Sequence, residues 1–315
     1  MKDLGKQYSG DNISDKTGFR RKARLHQSRF RAEVLDVDHS RVDGDDYGNR
    51  LSESDGKKGL NFYDGFSIFD EVRKRSNNRY SKTLYSDMLR SEHIPFNMFV
   101  PFRYNKDFAT KVFNELLGGC IRSVDISNDH RRFIEYAPSP SANYLNDKTS
   151  FDAYIEYDHI DGSRGLIGIE VKYTEHEYGL KPGSKENKMI SDMNSVYFKV
   201  SRHSGIYKPD SYELLKTDLF RQIWRNQILG ESILITDSDK YKHFTSLTLY
   251  PEGNIHFVES CKKYIELLED KAVERNKFLP VTYEKFISVC NKYCPDEEYR
   301  QWVEYLERRY LIKGE

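Results

Sequence analysis

Two apolar segments close together in the chain, residues 151–157 and 165–173, restrict the possible folds more than any other feature. Both are rich in β-branched and aromatic residues, which favours two β-strands joined by a short turn. In the second segment the odd-numbered residues from 167 onward are apolar and share one face, whereas Glu170 and Lys172 share the other. The pattern predicts a central strand that carries a carboxylate and an ammonium group on the same side.

The register of these two strands decides whether Asp152 joins that pair. A two-residue turn at Asp161-Gly162 would pair Asp152 with Val171, and the aspartate would then point to the opposite face. A loop with an odd number of residues, or one bulge, would place Asp152 opposite Glu170, with Cα atoms about 4.5 to 5.5 Å apart. Facing carboxylates repel each other unless a cation or a proton intervenes. We predict the odd register; the alternative is an ordinary hairpin with solvated charges.

Asp152 and Glu170-Val171-Lys172, the latter at the end of a hydrophobic strand, resemble the motif of the PD-(D/E)xK nuclease superfamily. Residue 151 is Phe, where the motif has Pro. The resemblance covers residues 84–229 and implies the restriction-endonuclease-like fold, an α/β (α+β) core in which helices flank a mixed central sheet. The N-terminal segment is similar to that of a little-characterised bacterial branch of the superfamily, through the motifs Tyr47-Gly48-Asn49, Gly59-Leu60-Asn61-Phe62 and Leu89-Arg90-Ser91-Glu92-His93.

The chain is predicted to contain one nuclease core with an extension at each end. Residues 1–80 form an N-terminal extension of helices and loops, residues 81–256 form the core, and residues 257–315 form a helical extension packed on the core. Four strands of the core are predicted to form a meander, at 120–126, 132–137, 151–157 and 165–173. Further elements are predicted from apolar periodicity and stop signals, namely helices at 67–75, 83–93, 105–117 and 212–229 and a strand at 242–250.

Asp152 and Glu170 are the predicted ligands of a divalent cation. Mg²⁺ prefers oxygen ligands, keeps several of its waters and takes one or two protein carboxylates, and we expect Mn²⁺ to substitute for it. The resemblance adds the backbone carbonyl of Val171 as a third ligand. Lys172 is predicted to stay protonated beside the carboxylates and to offset negative charge in the transition state, rather than to act as a general base. The predicted activity is that of a metal-dependent endodeoxyribonuclease of restriction, antiviral defence or repair type.

Glu92 is the next candidate for the site. It is predicted to lie on the apolar face of the helix 83–93, near the C-terminal end, where the helix dipole disfavours a negative charge. A carboxylate in such a position usually has a cationic partner or a functional role. In the superfamily a Glu from the helix before the sheet often completes the metal shell, and the resemblance assigns Glu92 to this position. The alternative is a salt bridge to Arg90 or Arg103.

Gln222 and Arg225 are the candidates for binding a substrate phosphate. They lie one turn apart on the predicted helix 212–229, so both side chains can reach one phosphate, and Asn226 is adjacent. The resemblance supports this, because the helix after the ExK strand often carries a Gln or a basic residue. The alternative is an ordinary solvated helix face.

Composition excludes some classes of protein and leaves two other functions open. A net charge of +0 argues against a protein that coats nucleic acid through bulk electrostatics, although a basic run between Arg20 and Arg31 could contact phosphates locally. No apolar run reaches the length of a membrane span, and four cysteines without a CxxC motif fit a reducing cytoplasm.

DNA is the expected partner, and a homodimer or a partner protein of a defence system is left open. The other functions are a catalytically silent nucleic-acid-binding module and a scaffold subunit that binds a partner through its helical C-terminus.

Overall fold

A six-stranded mixed sheet forms the centre of the protein, as seen in a computed structural model that describes residues 2–8, 18–41, 44–176 and 179–312. The strand order is β1-β3-β4-β5-β6, and β2 also pairs with β3. The strands are β1 (Ile121–Asp125), β2 (Ile134–Tyr136), β3 (Phe151–His159), β4 (Arg164–Val171), β5 (His243–Tyr250) and β6 (Phe278–Thr282). The α/β fold class and the mixed sheet predicted from the sequence are confirmed.

The loop between β3 and β4 has an odd number of residues, so the predicted register is confirmed. The His159 N–H donates to the Ser163 carbonyl at 2.8 Å, which leaves residues 160–162 as the loop. Gly162 has φ 90°, a conformation that glycine adopts without the penalty of a Cβ. The antiparallel ladder pairs Ala153 with Ile169, and one residue further along this register Asp152 lies opposite Glu170.

The first two strands do not form the predicted meander. Both β1 and β2 pair with the same edge of β3, β2 along its N-terminal half and β1 along its C-terminal half. In the β2–β3 ladder Ile134 pairs with Ala153 and Tyr136 with Phe151, so the intervening Glu135 lies opposite Asp152. The predicted order is therefore correct for the neighbours β2–β3 and β3–β4 and wrong for β1, which pairs with β3 instead of β2.

The other half of the sheet is parallel. β5 runs parallel to β4, and β6 runs parallel to β5 at the sheet edge. The sequence analysis did not predict β6, because it is short and contains Pro280, which weakens a strand pattern and is tolerated mainly at sheet edges. The C-terminal segment after residue 257 therefore adds a strand to the sheet as well as helices.

Fourteen α-helices surround the sheet in the described part of the chain. None of them combines the length and the apolar character that a membrane span needs. The helix predicted at 212–229 is two helices, separated at residues 216 and 217. The helices are α1 (Phe19–Arg29), α2 (Glu53–Lys57), α3 (Ile68–Arg75), α4 (Lys82–Ser86), α5 (Ile94–Phe99), α6 (Lys106–Leu116), α7 (Lys185–Ser191), α8 (Val196–Ser204), α9 (Tyr212–Leu215), α10 (Asp218–Thr236), α11 (Ile255–Glu266), α12 (Asp270–Glu274), α13 (Tyr283–Lys292) and α14 (Glu297–Tyr310).

Pro95 begins a helix instead of ending one. The predicted helix 83–93 is divided into α4, an irregular stretch and a 3₁₀ turn at Ser91–His93, after which α5 starts at Ile94 with Pro95 in its first turn. Proline is favoured there, since its missing N–H would have no helical partner. Glu92 therefore lies just before a helix N-terminus, where a negative charge is favourable. Its predicted place at a helix C-terminus is wrong.

Two apolar layers enclose the sheet. The odd-numbered residues of β3 and β4, such as Ile155 and Ile167, share one buried cluster with α5, α6, α13 and α14, including Phe286 and Trp302. On the other face, residues of β3, β4 and β5 pack against α8, α10 and α11. Gly230 lets α10 approach closely, because a Cβ at this position would lie 1.9 Å from the Phe244 ring of β5. This second face carries the candidate site.

Candidate active site

Three carboxylates lie in a row across three neighbouring strands. Glu135 of β2 is opposite Asp152 of β3, and Asp152 is opposite Glu170 of β4. The row lies where β3 begins and β4 ends, so its members are half-buried instead of enclosed. Residues directly opposite one another in antiparallel strands point to the same face. The sheet therefore concentrates negative charge at this edge.

Asp152 occupies the point at which the backbone ladder between β3 and β4 ends. Its carboxylate accepts the Val171 N–H at 2.6 Å. Burial raises the pKa of Asp152 well above its ordinary value, and the charges of Glu170 and Glu135 raise it further, against the opposing influence of Lys172 and the Val171 N–H. A nearby cation would relieve this repulsion.

Lys172 neutralises one member of the row. Its ammonium lies 2.6 Å from Glu170 Oε1, and only about a tenth of its side chain is exposed. Burial disfavours the charged lysine, but Glu170 and Asp152 outweigh burial and raise its pKa. The second oxygen of Glu170 accepts the Asn226 amide of α10 at 2.6 Å. Lys172 is thus held as a cation, which agrees with an electrostatic role and not with that of a base.

Glu135 is a site residue that the sequence analysis missed. Burial raises its pKa, as do Glu170 and Glu92, while Arg75 and a hydrogen bond from Ser150 oppose the shift. Its φ is 55°, in the left-handed region that a glutamate rarely adopts. Arg75 donates to the carbonyls of Ile134 and Glu135, at 3.1 and 2.7 Å, and so supports this conformation. The available signal was the parity of residues 132–137 against β3, but using it requires the register between the two strands, which the predicted meander did not give.

Glu92 faces the same edge from the N-terminal half of the chain. It accepts the Thr83 hydroxyl at 2.8 Å, and its closest cation is Arg90 at 3.8 Å. Arg103, the other partner considered, binds Glu71 at 2.7 Å. With 42% of its side chain exposed, Glu92 is not locked into a salt bridge. Its role as a metal ligand stays a prediction.

Glu175, which the sequence analysis did not identify, connects the segment around Glu92 to the end of β4. One of its oxygens accepts the Ser91 N–H at 2.8 Å and the other accepts the Tyr173 N–H at 2.7 Å. The neighbouring Thr174 hydroxyl donates to the Leu89 carbonyl at 3.2 Å. The residue before Glu92 is therefore tied to the segment directly after Lys172.

The asparagines of the N-terminal motifs form buried polar contacts instead of joining the carboxylate row. Asn49 binds both Arg24 and Asp87. Asn61 accepts a hydrogen bond from the buried Arg309 of α14. Arg24 and Arg31, from the basic run of α1 and its C-terminal extension, are buried as well. Part of that run is therefore structural and cannot contact phosphates.

The two candidates for phosphate binding have different surroundings. Arg225 donates to Glu186 at 2.9 Å, to Thr149 at 2.7 Å and to Asp147 at 3.3 Å, so its guanidinium belongs to a structural network. Gln222 is buried, and its amide nitrogen has no partner among the described residues. Gln222 also lies one turn from Asn226, which binds Glu170. These contacts favour Gln222 over Arg225 as the donor to a phosphate.

A sequence profile of the PD-(D/E)XK nuclease superfamily matches residues 13–312, nearly the whole chain. The chain belongs to this superfamily. No curated protein and no solved structure matched it. The match confirms the resemblance stated from Asp152 and Glu170-Val171-Lys172 and extends it far beyond residues 84–229.

PD-(D/E)XK nucleases typically use divalent metal ions, and the donor set of this member of the superfamily fits one. Carboxylate oxygens are the ligands that Mg²⁺ prefers, and burial together with neighbouring carboxylates raises the pKa values of Asp152 and Glu135, which a bound cation would oppose. Within the described ranges, the carboxylate oxygens of the row do not converge into a compact three-ligand cluster. Glu170 is held by Lys172 and Asn226, so binding a cation requires that some of these contacts be exchanged.

Proposed function

We propose that this protein is an endonuclease that hydrolyses phosphodiester bonds of DNA with Mg²⁺. The observation that carries the proposal is the row Glu135, Asp152 and Glu170 with the Lys172 ammonium 2.6 Å from Glu170. Lys172 pairs with Glu170 and Arg75 acts on Glu135, whereas the ion pairs among the described residues include none to Asp152, whose charge a proton or an external cation would balance. A purely structural cluster has no physical reason to keep this imbalance.

Each residue has a distinct role in the proposed reaction. Asp152 and Glu170 would hold the cation, and the Val171 carbonyl, Glu92 and Glu135 would be further ligands. When bound, Mg²⁺ would polarise the scissile phosphate and lower the pKa of a water at the site. Lys172 would orient the attacking water and offset the negative charge that grows on the phosphate. Asn226 keeps Glu170 in place, and the Gln222 amide would donate to a phosphate oxygen.

DNA is the proposed substrate because the superfamily motif and the restriction-endonuclease-like fold support it, and a role in restriction, antiviral defence or repair follows from the same resemblance. All four cysteines are free, two of them buried, which supports a reducing compartment such as the cytoplasm. Mn²⁺ is expected to replace Mg²⁺, since it accepts the same oxygen ligands.

Incubation of the purified protein with supercoiled plasmid tests the proposal. We expect nicking or linearisation with Mg²⁺ or Mn²⁺ and none with EDTA. Glu170→Gln and Asp152→Asn should abolish cleavage, because both keep the side-chain shape and remove the charge. Asp158→Asn is the matched control, since Asp158 lies on the same strand, is 42% exposed and binds Arg164 and not the row.

Two results would separate the alternatives. Retention of DNA in a gel-shift assay with no cleavage under any metal condition would assign the protein as a silent nucleic-acid-binding module. Equal cleavage by wild type and Glu170→Gln would show that the nuclease activity comes from another site or from a contaminant.

A further inference from the structure

A second group of metal-ligating side chains lies at the opposite end of the β3–β4 hairpin. We propose that His159, Asp161 and His243 bind a transition-metal ion of the Zn²⁺ class, at a site separate from the carboxylate row. His159 ends β3, Asp161 lies in the three-residue loop and His243 begins β5. One ligand atom from each residue lies within 4.8 Å of the other two.

The Asp161 carboxylate lies between the two imidazoles. Its Oδ1 is 3.0 Å from His159 Nδ1, and its Oδ2 is 3.0 Å from His243 Nε2. The two rings are stacked, with centroids 3.9 Å apart and an interplanar angle of 16°. Imidazole nitrogens and carboxylate oxygens are both ligands of Zn²⁺, and here they already lie close together. A shared metal ion would hold all three groups.

The surrounding structure holds the three residues in place. The Ser163 N–H and hydroxyl donate to Asp161 Oδ1, at 2.8 and 2.6 Å, which orients the carboxylate as supporting contacts do in metal sites. His243 pairs with Gly165 in the β4–β5 ladder, so its backbone is part of the sheet. One contact opposes binding, because the Asp161 N–H donates to His159 Nδ1 at 3.2 Å and would be released if this nitrogen bound the metal.

The ligand chemistry distinguishes this site from the carboxylate row. Two imidazole nitrogens and one carboxylate oxygen suit Zn²⁺, Co²⁺ or Ni²⁺ and leave a fourth position open, whereas Mg²⁺ takes oxygen ligands. Arg164, beside the loop, and Glu170 are six positions apart along β4, which corresponds to about 20 Å. A metal here would join the hairpin loop to the start of β5 and stabilise the junction of the antiparallel and parallel halves of the sheet.

Zn²⁺ titration of the full chain, without a polyhistidine tag and after treatment with a chelator, tests the site. In calorimetry with excess Mg²⁺ present, we expect one Zn²⁺ to bind per chain and the melting temperature to rise. Co²⁺ should give the visible absorption of a tetrahedral nitrogen and oxygen site. His243→Ala and, in the exposed loop, Asp161→Asn should each lower the affinity by at least about 100-fold.

Two control variants keep this test independent of the nuclease proposal. Asp152→Asn should bind Zn²⁺ normally, and so should His256→Ala, which disrupts the other close pair of histidine rings, His176 and His256. Wild-type affinity in both His243→Ala and Asp161→Asn, or loss of binding in Asp152→Asn, would overturn the proposed site. Circular dichroism of each variant shows whether it has folded.

Discussion

Asp152 and Glu156 lie on the same face of β3, four residues apart, and their surroundings are opposite. Asp152 faces two carboxylates and one ammonium, and burial together with that repulsion raises its pKa. Glu156 is more deeply buried than the half-buried Asp152, but it forms ion pairs with three cations, Arg132 at 2.7 Å, Arg164 at 2.9 Å and Lys240 at 3.1 Å. Burial alone would raise the pKa of Glu156, yet these donors and Tyr241 lower it.

The comparison shows that a buried carboxylate does not by itself indicate a functional site. What distinguishes the two ends of β3 is the balance of charge around the acid. Cations of the protein itself balance the charge of Glu156. The charge of Asp152 is balanced only in part, and the neighbouring carboxylates destabilise it. Surplus charge of this kind is characteristic of sites that bind a cation or transfer a proton.

The largest expected effects are opposite for substitutions of Asp152 and Glu156. Asp152→Asn should abolish cleavage and leave the metal-free melting temperature equal to or above that of wild type, because it removes repulsion and keeps an acceptor for the Val171 N–H. Glu156→Gln should leave the cleavage rate within a few-fold but lower the free energy of unfolding by about 1–3 kcal/mol, since three cations lose their charged partner. Urea denaturation and plasmid cleavage measure both quantities. A strongly destabilised Asp152→Asn would mean that Asp152 is a structural residue.

Substitutions of Lys172, next to the carboxylate row, and Lys240, next to Glu156, test the same difference with cations. Lys172→Ala should reduce the single-turnover rate at saturating enzyme by about 10²-fold, the scale of losing one transition-state contact, with little change in DNA affinity. Lys240→Ala, at the Glu156 end, should leave that rate nearly unchanged. An undiminished rate in Lys172→Ala would remove Lys172 from the mechanism and leave it as the ion-pair partner of Glu170.

A smaller effect is expected at the outer carboxylates. Glu135→Gln and Glu92→Gln should each weaken Mn²⁺ binding by about 10-fold, because shape is kept and one negative charge is lost. Calorimetric titration with Mn²⁺ gives the affinities, and Glu156→Gln serves as the control. If Glu135→Gln binds Mn²⁺ as wild type does, the strained backbone at Glu135 serves the fold and not the cation.

The pH dependence of stability should have opposite signs for the acids at the two ends of β3. Because the folded-state pKa values of Asp152 and Glu135 are raised, their contribution to stability is fully present below about pH 4 and is lost as pH rises through those values. The pKa of Glu156 is lowered, so its contribution is present above about pH 4 and is lost as pH falls further. Metal-free wild type should thus lose stability relative to Asp152→Asn as pH rises above about 4.

Denaturation curves at several pH values in EDTA, repeated with Mg²⁺, measure this effect. Mg²⁺ should remove most of the loss at high pH in wild type and have little effect on Asp152→Asn. A stability difference that does not change with pH would mean that the row carries no shared charge in the folded protein.

The alternation of apolar residues predicted the central strand of the fold. Alternation in residues 165–173 identified β4 and the shared face of Glu170 and Lys172, whereas it left two registers possible for Asp152, of which the predicted odd one is observed. The short helix α6 was also predicted closely, because Asn105 caps it and Gly118-Gly119 follows it. These features depend on local sequence signals.

Features that depend on distant contacts could not be predicted in this way. Glu135 belongs to the row because the register of β2 against β3 places it opposite Asp152, and no local signal sets the register of two strands joined by a long irregular connection. Pro95 is compatible both with the end of one helix and with the start of the next, and the observed choice follows from the buried contacts of Ile94 and Phe96. β6 is a strand because it pairs with β5, which its own residues do not reveal.

The hydrogen bonds of Glu175 have a consequence for the order in which the site is assembled. Ser91 and Glu175 are 84 positions apart in the sequence, and β1–β4 lie between them, so we expect their contact to form only after these strands have paired. Long-range contacts of this kind form late and open together. In hydrogen exchange, the amides of Ser91 and Tyr173 should therefore become exposed in one opening event. Glu92 then reaches the carboxylate row only in molecules whose β4 is already complete, so an incompletely folded chain lacks one of the acids proposed to hold the metal.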